Sequence, residues 1–179
     1  AGGYRVILQG EPHAPLRERI AAMGLRVIAE RATAAYHFLQ LHPRDTGGAM
    51  LEIDWHAGGD TPEKPWTHAA GTNWRAAIRT GRVAAIAAAE LQSADPGALA
   101  ARWGAILGLP VRRDGEALSI DLDGATLRFV AAADGRGEGL GGLDLRATDS
   151  DAVLAAARAQ GAPVEDGVVH LAGIRLRLV

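Results

Sequence analysis

The sequence predicts an α+β protein built from repeated strand–helix–three-strand (βαβββ) units. Two observations carry this prediction. Segments in which apolar and polar residues alternate, as in half-buried strands, are interspersed with segments of helical apolar spacing. Three of the helical segments also end alike, on a glycine that leads into an extended segment, at Gly24, Gly108 and Gly161. Such a repeat indicates that one structural unit occurs three times.

The first predicted unit covers residues 1–56. A strand over residues 4–9 is followed by a helix that starts near Pro12 and Pro15 and ends at Gly24. Three extended segments complete the unit, at residues 25–29, 38–41 and 50–54. The last two are joined by a loop that begins at His42 and combines a proline with two glycines, as tight turns do. We expect His42 to support this turn rather than to perform acid–base chemistry.

Residues 57–82 form a predicted linker, because they are rich in glycine, proline and charged residues. Trp66 and Trp74 interrupt it. Large aromatic side chains in such a segment favour a connection that packs against a neighbouring surface.

Residues 83–179 are predicted to hold the second and third units, which together make a complete two-unit module. The second begins with a strand over residues 83–92 and a helix that is capped by Asp95, starts at Pro96 and ends at Gly108. Its remaining strands are predicted at residues 118–122 and 125–130. The third unit follows a glycine-rich loop at 135–142, with a strand at 143–147, a helix at 152–160 capped by Asp149 or Ser150, and a hairpin of 168–171 with 174–179.

Composition excludes several classes of function. The net charge is −2 and only eight residues are aromatic, which disfavours binding to nucleic acid or to an anionic membrane. The chain has no cysteine, so disulfides, thiolate metal ligands and cysteine nucleophiles are excluded. No apolar run reaches the roughly 20 residues of a membrane helix. We expect a cytoplasmic protein without nucleic-acid or membrane partners.

The order of segments, the loop His-Pro-Arg-Asp-Thr-Gly-Gly at 42–48 and the strand ending Leu-Glu-Ile-Asp at 51–54 resemble the glyoxalase/bleomycin-resistance/dioxygenase families, the vicinal oxygen chelate superfamily. The same stretch is similar to the corresponding part of methylmalonyl-CoA epimerases. The resemblance implies curved mixed sheets with helices on the outer face, in which two units surround a pocket. Residues 1–56 would then be half of a module whose partner unit is missing.

In enzymes of that superfamily, the pocket holds a divalent metal through a His on the first strand of a unit and a Glu on the last. The resemblance implies six metal-ligand positions in this chain, and only the one at Glu52 holds the residue type that the family uses. Arg5 falls where the His of the first unit is expected. The other four positions fall near Ala88, Arg128, Gly142 and Arg177. Arginine repels a cation and does not lose its proton to become a ligand. We therefore expect a degenerate metal site and no cofactor.

Glu52 has two interpretations. It is either a metal ligand or general base, or the partner of Arg5 in an ion pair across one face of the sheet. We favour the ion pair; the alternative is a divalent metal that Glu52 holds together with residues of a missing or partner unit. The candidate ligand-binding residues are Arg5, Gln40, Glu52, Arg128 and Arg177.

Four arginines alternate with buried apolar residues on the face opposite the helices: Arg128, Arg146, Arg175 and Arg177. One interpretation is a basic pocket for an anionic small molecule. The other, which we favour, is a solvated face partly neutralised by Glu90, Asp121 and Asp144.

An unpaired half module exposes strand edges, which we expect a preceding unit or a second copy to cover. We therefore predict a homodimer, with or without swapping of segments. The chain enters a strand almost at once without an initiator Met, so we also expect an N-terminal portion to be missing.

The predicted function is binding of a small molecule, with an anionic ligand as one option. The alternatives are a metal-dependent glyoxalase-like lyase, isomerase or dioxygenase, and a structural dimerisation module.

Overall fold

The computed structural model describes residues 2–10, 14–59 and 73–179. The predictions for Pro12, for Trp66 and for half of the 57–82 linker, residues 60–72, lie outside these residues. The described ranges hold three helices: α1 (Ala14–Ala22), α2 (Pro96–Leu107) and α3 (Ser150–Ala159). None of the three is both long enough and apolar enough to cross a membrane.

The first four strands form a mixed sheet in the order β1-β4-β3-β2. They are β1 (Arg5–Gln9), β2 (Val27–Ala32), β3 (Tyr36–Leu41) and β4 (Met50–His56). The first and last strands, β1 and β4, run parallel, whereas the other pairs are antiparallel. Glu52 lies opposite Ile7 on one side and Gln40 on the other.

The remaining eight strands form a second mixed sheet in the order β10-β11-β12-β9-β5-β8-β7-β6. They are β5 (Val83–Ser93), β6 (Arg112–Asp114), β7 (Ala117–Leu122), β8 (Ala125–Ala131), β9 (Gly139–Ala147), β10 (Val164–Glu165), β11 (Val168–Leu171) and β12 (Ile174–Leu178). Each half of this sheet, β5–β8 and β9–β12, repeats the strand order of the first sheet. In each half the first strand runs parallel to the last. The first strands of the two halves, β5 and β9, pair antiparallel at the centre. The prediction of an α+β fold with repeated βαβββ units is confirmed.

The ends of α2 follow the sequence prediction. Asp95 caps the helix through a hydrogen bond of 2.9 Å from the backbone N–H of Ala98 to its carboxylate, and Pro96 occupies the first position. Gly108 ends the helix in the left-handed conformation, at φ 71°, which glycine adopts without strain. In α3, Asp149 rather than Ser150 supplies the cap, by accepting from Ala152 N–H.

The structure corrects the prediction of a glycine-rich loop over 135–142. Strand β9 already begins at Gly139, and its register against β5 shifts between Glu90 and Leu91. Glycine is a weak strand former, which is why its run suggested a loop. The short strands β6 and β10 were not predicted, because segments of three and two residues show no periodicity.

One hydrophobic core joins the two sheets through α1 and α2. Trp103 of α2 is fully buried, and its indole N–H donates to the backbone oxygen of Thr46 at 3.0 Å. Arg19 of α1 donates to the oxygen of Ile106 at 2.8 Å, at the C-terminal end of α2 where a cation is favoured. The core therefore lies on the helix side of both sheets, and their polar residues lie on the opposite faces.

Candidate functional site

A network of ion pairs covers the face of the eight-stranded sheet that lies opposite α2. At its centre, Glu90 on β5 lies opposite Arg128 on β8 and Gly142 on β9. Arg128 donates to Asp144 through Nε at 2.7 Å and Nη2 at 2.8 Å. Its Nη2 also lies 2.8 Å from Glu90 Oε2. One guanidinium thus bridges two carboxylates on two other strands.

Arg175 makes a second set of contacts in this network. Its Nη2 donates to Glu90 Oε1 and to Gln92 Oε1, both at 2.7 Å, and its Nη1 contacts Asp134. Gln92 in turn donates from Nε2 to Asp134 Oδ1 at 2.7 Å. Because charge-assisted contacts of this length fix both partners, Arg175 is held firmly.

Arg177 is the most loosely held guanidinium of the three. Its Nη1 lies 3.5 Å from Asp144 Oδ1 and its Nη2 lies 3.6 Å from Glu90 Oε2. The Arg177 side chain is 46% exposed, compared with 25% for Arg128. It therefore has donors that a ligand could reach.

The neutralising acids differ partly from those that were predicted. Glu90 and Asp144 take part as expected, but Asp121 pairs with Arg112, at 2.6 Å, outside the network. Its place is taken by Asp134, which sequence reasoning missed and which also pairs with Arg136 at 2.5 Å. Arg146 is exposed on β9. The prediction that Asp121 neutralises the four arginines is wrong, because its carboxylate pairs with Arg112 on the adjacent edge strand β6.

Electrostatics holds the central acid in its charged form. Burial opposes ionisation of Glu90, but hydrogen bonds and charges from Arg175 and Arg128 outweigh it and lower the pKa of this carboxyl. The four guanidinium groups of Arg128, Arg136, Arg175 and Arg177 exceed the three carboxylates by one charge. The face is neither an open basic pocket nor a neutral surface.

Small residues make room for these arginines. A side chain at Gly142 would place its Cβ 2.5 Å from the backbone oxygen of Arg175. Gly141 is equally crowded, because Gln92 Oε1 would lie 2.7 Å from an added Cβ. On β5, the buried Ala88 lies opposite Asp144, beside the path that Arg128 takes across the strand. Two of the positions implied for metal-binding histidines therefore hold residues that cannot coordinate.

The polar face of the first sheet carries the predicted ion pair of Arg5 and Glu52. Arg5 Nη1 lies 2.8 Å from Glu52 Oε2, and Gln40 Nε2 donates to the same oxygen at 2.6 Å. Glu52 is only 5% exposed. The structure brings together three of the candidate ligand-binding residues here, and the other two, Arg128 and Arg177, on the second sheet.

Four further polar residues of this face were missed: Gln9, Tyr36, Asp54 and His56. Tyr36 donates from its hydroxyl to Asp54 Oδ2 at 3.2 Å, and His56 Nδ1 lies 3.2 Å from Gln9 Oε1. Two-residue spacing from Glu52 places Asp54 and His56 on its face of β4, a signal that could have found both. Burial, with the charge of Glu52, raises the pKa of the Asp54 carboxyl to about 7.

Within the described part of one chain, these side chains do not complete a site for a divalent metal. Across the described ranges, no three His, Asp or Glu side chains come together as a metal site requires. Beside Glu52, the guanidinium of Arg5 already supplies the positive charge. His42 does support its turn, because its Nδ1 accepts from the backbone N–H of Arg44 at 3.1 Å.

A shallow cavity of about 310 Å³ adjoins the network on the second sheet. Its lining includes Asp134, Arg136, His170 and Arg175. This volume lies at the lower end of the range for sites that take small organic molecules.

The fold matches solved structures, although the sequences are distant. No protein-family model and no curated protein matches the chain. The Mn(II)-bound glyoxalase of Novosphingobium aromaticivorans is similar over 97% of this chain, with a TM-score of 0.61 and 13% identity. The 2,2',3-trihydroxybiphenyl 1,2-dioxygenase of Sphingomonas wittichii is similar over 98%, with a TM-score of 0.57 and 16% identity.

A putative dioxygenase of Bacillus subtilis is similar over 99% of the chain, with a TM-score of 0.56 and 16% identity. The chain spans only 61% of the length of the glyoxalase, 69% of the Sphingomonas dioxygenase and 64% of the Bacillus protein. The shared strand order of the three units and these structural matches together lead to one conclusion: the chain has the fold of the vicinal oxygen chelate superfamily.

Proposed function

We propose that this chain binds a small anionic molecule at the face of the eight-stranded sheet, and that ion pairs have replaced metal coordination there. The proposal rests on the residues at the four positions of the second and third units where the family resemblance implies metal ligands. Two of these positions hold Arg128 and Arg177, and the other two hold Ala88 and Gly142. A site lined by these residues favours an anion over a metal ion.

Arg177 is the residue that would meet the ligand first. Its contacts to Asp144 and Glu90 are long, and nearly half of its side chain is exposed. A carboxylate or phosphate could accept two hydrogen bonds from this guanidinium at normal length. The surplus positive charge of the network supports the same ligand class.

The second candidate is a metal-dependent lyase, isomerase or dioxygenase. Three of the similar structures carry the names of a Mn(II)-bound glyoxalase and of dioxygenases. The specific observation in its favour is the first sheet, where the carboxylates of Glu52 and Asp54 lie on one face with the amide of Gln40. Such a site would need ligands from another unit as well, and it would have to displace Arg5.

Thermal unfolding with matched additives tests the first candidate. Malonate should raise the melting temperature by mass action, whereas its neutral analogue malonamide should not. Arg177→Gln should abolish the malonate effect. Arg112→Gln, an exposed arginine of another ion pair, should retain it. Equal responses to malonate and malonamide, or a response that survives in Arg177→Gln, would count against the proposal.

Metal analysis of the purified protein tests the second candidate. One divalent ion per chain that is lost in Glu52→Gln would favour the metal-dependent enzyme over the anion-binding protein. Absence of both a bound ion and a malonate response would favour a structural dimerisation module.

A further inference from the structure

Arg146 lies on the same face of the eight-stranded sheet as the ion-pair network, next to Arg177. It is two residues beyond Asp144 on β9, so the two side chains point to one face. Arg177 lies directly opposite Asp144 on β12. Backbone hydrogen bonds of Val179 extend this ladder by one pair and place Val179 opposite Arg146. Arg146 and Arg177 are therefore diagonal neighbours on adjacent strands.

The carboxylate beside these two arginines is already engaged by a third. Arg128 donates to Asp144 Oδ2 at 2.7 Å and to Asp144 Oδ1 at 2.8 Å. Arg177 stays 3.5 Å from Oδ1. Among the described residues, no acid forms an ion pair with Arg146. Both guanidinium groups therefore keep donors that the carboxylate of a ligand can accept from.

The strands on either side of Arg146 place no acid opposite it. Ala85 on β5 and Val179 on β12 are its neighbours across the sheet, and both side chains are apolar. Arg146 is also exposed. Its charge adds to that of the four guanidinium groups of the network, so the surplus over the three carboxylates rises from one to two. A ligand with two negative charges would neutralise this surplus.

We propose that the ligand of this face is a small dicarboxylate, and that Arg146 selects it over a monocarboxylate by binding the second carboxylate while Arg177 binds the first. This inference rests on the proposed anion-binding function. Diagonal neighbours in a sheet lie about 7–8 Å apart, and the long side chains of two arginines can reach both ends of a short diacid from there. Each planar guanidinium matches one carboxylate in a two-point pair, so two separate guanidinium groups match two carboxylates of one molecule.

A series of matched ligands tests the second charge. Malonate has two carboxylates, malonamate has one and malonamide has none, whereas their size is nearly the same. NMR titration at about pH 8 and equal ionic strength should find malonate bound about fivefold more tightly than malonamate, because an exposed ion pair contributes on that scale. Methyl phosphate is also a dianion at this pH, but it should bind less tightly than malonate because both charges lie on one group.

A matched pair of variants tests the residue. Arg146→Gln should lower the affinity for malonate to that for malonamate, with little change in malonamate binding. Because Arg146 is exposed, this variant should fold, and an unchanged amide spectrum checks that it does. Arg112→Gln is the control: it removes an exposed arginine that pairs with Asp121 and should keep the fivefold preference. In the parent protein, malonate should shift the Nε–H signals of both Arg146 and Arg177.

The outcomes separate the choice of a dicarboxylate from the anion site itself. Equal affinity for malonate and malonamate, a preference that survives in Arg146→Gln, or methyl phosphate bound as tightly as malonate would overturn the role of Arg146 and leave the anion site standing. If malonate and malonamate bind no better than malonamide, the anion site fails and the role of Arg146 fails with it.

Discussion

Arg128 and Asp144 form a two-point ion pair that reaches across the central strand β5, with contacts of 2.7 and 2.8 Å. The strands that carry them, β8 and β9, are not neighbours in the sheet, because β5 lies between them. The pair therefore ties together the two units of the eight-stranded sheet. The same guanidinium bonds Glu90 on the strand between them.

Removal of this guanidinium should destabilise the protein strongly. Arg128→Met leaves two buried acids short of a partner, and loss of one member of a buried ion pair costs about 3–5 kcal/mol of unfolding free energy. Urea denaturation measures the change. The control is Arg112→Met, whose pair with Asp121 is exposed, and there we expect a loss below about 1 kcal/mol. Similar losses in the two variants would contradict the role given to the network.

Gly142→Ala should destabilise the contact of β9 with β12. The new methyl group would lie 2.5 Å from the backbone oxygen of Arg175, and backbone cannot rotate away as a side chain can. Overpacking of this kind costs about 1–3 kcal/mol. Gly81→Ala is the control, because an added Cβ there meets nothing within 4 Å. Thermal unfolding of the two variants should differ clearly; no difference would mean that β12 can shift at little cost.

Asp54 should make folding stability fall as the pH rises from about 4 to about 7. Its pKa is raised from 3.8 to about 7, so within this window the folded state holds a proton that the unfolded chain has released. In Asp54→Asn the side chain is neutral at every pH, and this fall should disappear. Chemical denaturation at several pH values measures the slope.

Tyr36→Phe gives a second check on the same carboxyl. The Tyr36 hydroxyl donates to Asp54 and favours its charged form, so its removal should move the midpoint of the Asp54 titration to higher pH. Carbon-13 NMR of the carboxyl reports that midpoint directly. A midpoint that moves downward would show that the hydroxyl acts on Asp54 in another way.

Trp103→Phe should weaken the junction between the two sheets. The variant loses the hydrogen bond from the indole to the oxygen of Thr46 and leaves that buried oxygen with one donor fewer, at a cost of about 1–3 kcal/mol. Because one core serves both sheets, unfolding should remain a single transition at a lower temperature. Two separate transitions in calorimetry of the parent protein would contradict the shared core.

Local signals in the sequence predicted most of the fold. The helix that Asp95 caps and Gly108 ends, and the hairpin about Ala172, follow from chemistry within a few residues, so the sequence contains what is needed to predict them. The prediction of a loop over the glycines of β9 was wrong because these glycines leave space for Arg175, which lies more than thirty positions away in the sequence. A contact of that range leaves no local pattern.

The candidate site was predictable only in part. The pair of Arg5 and Glu52 followed from strand alternation combined with the family resemblance, and the structure confirms the contact. Asp134 was missed because it lies in a loop, where no periodicity indicates the direction of a side chain. Ligand binding, the cofactor and the oligomeric state stay predictions.

The crowding at Gly142 also limits redesign. A metal centre designed into the polar face of the eight-stranded sheet could not begin with histidine at position 142, because the neighbouring strand β12 would first have to move. Substitution by histidine would be easier at position 88, because alanine already carries a Cβ there. The neighbouring Arg128 could be replaced by a shorter residue in the same variant. The backbone itself, more than the choice of side chains, thus limits where a metal-binding side chain could be introduced in this sheet.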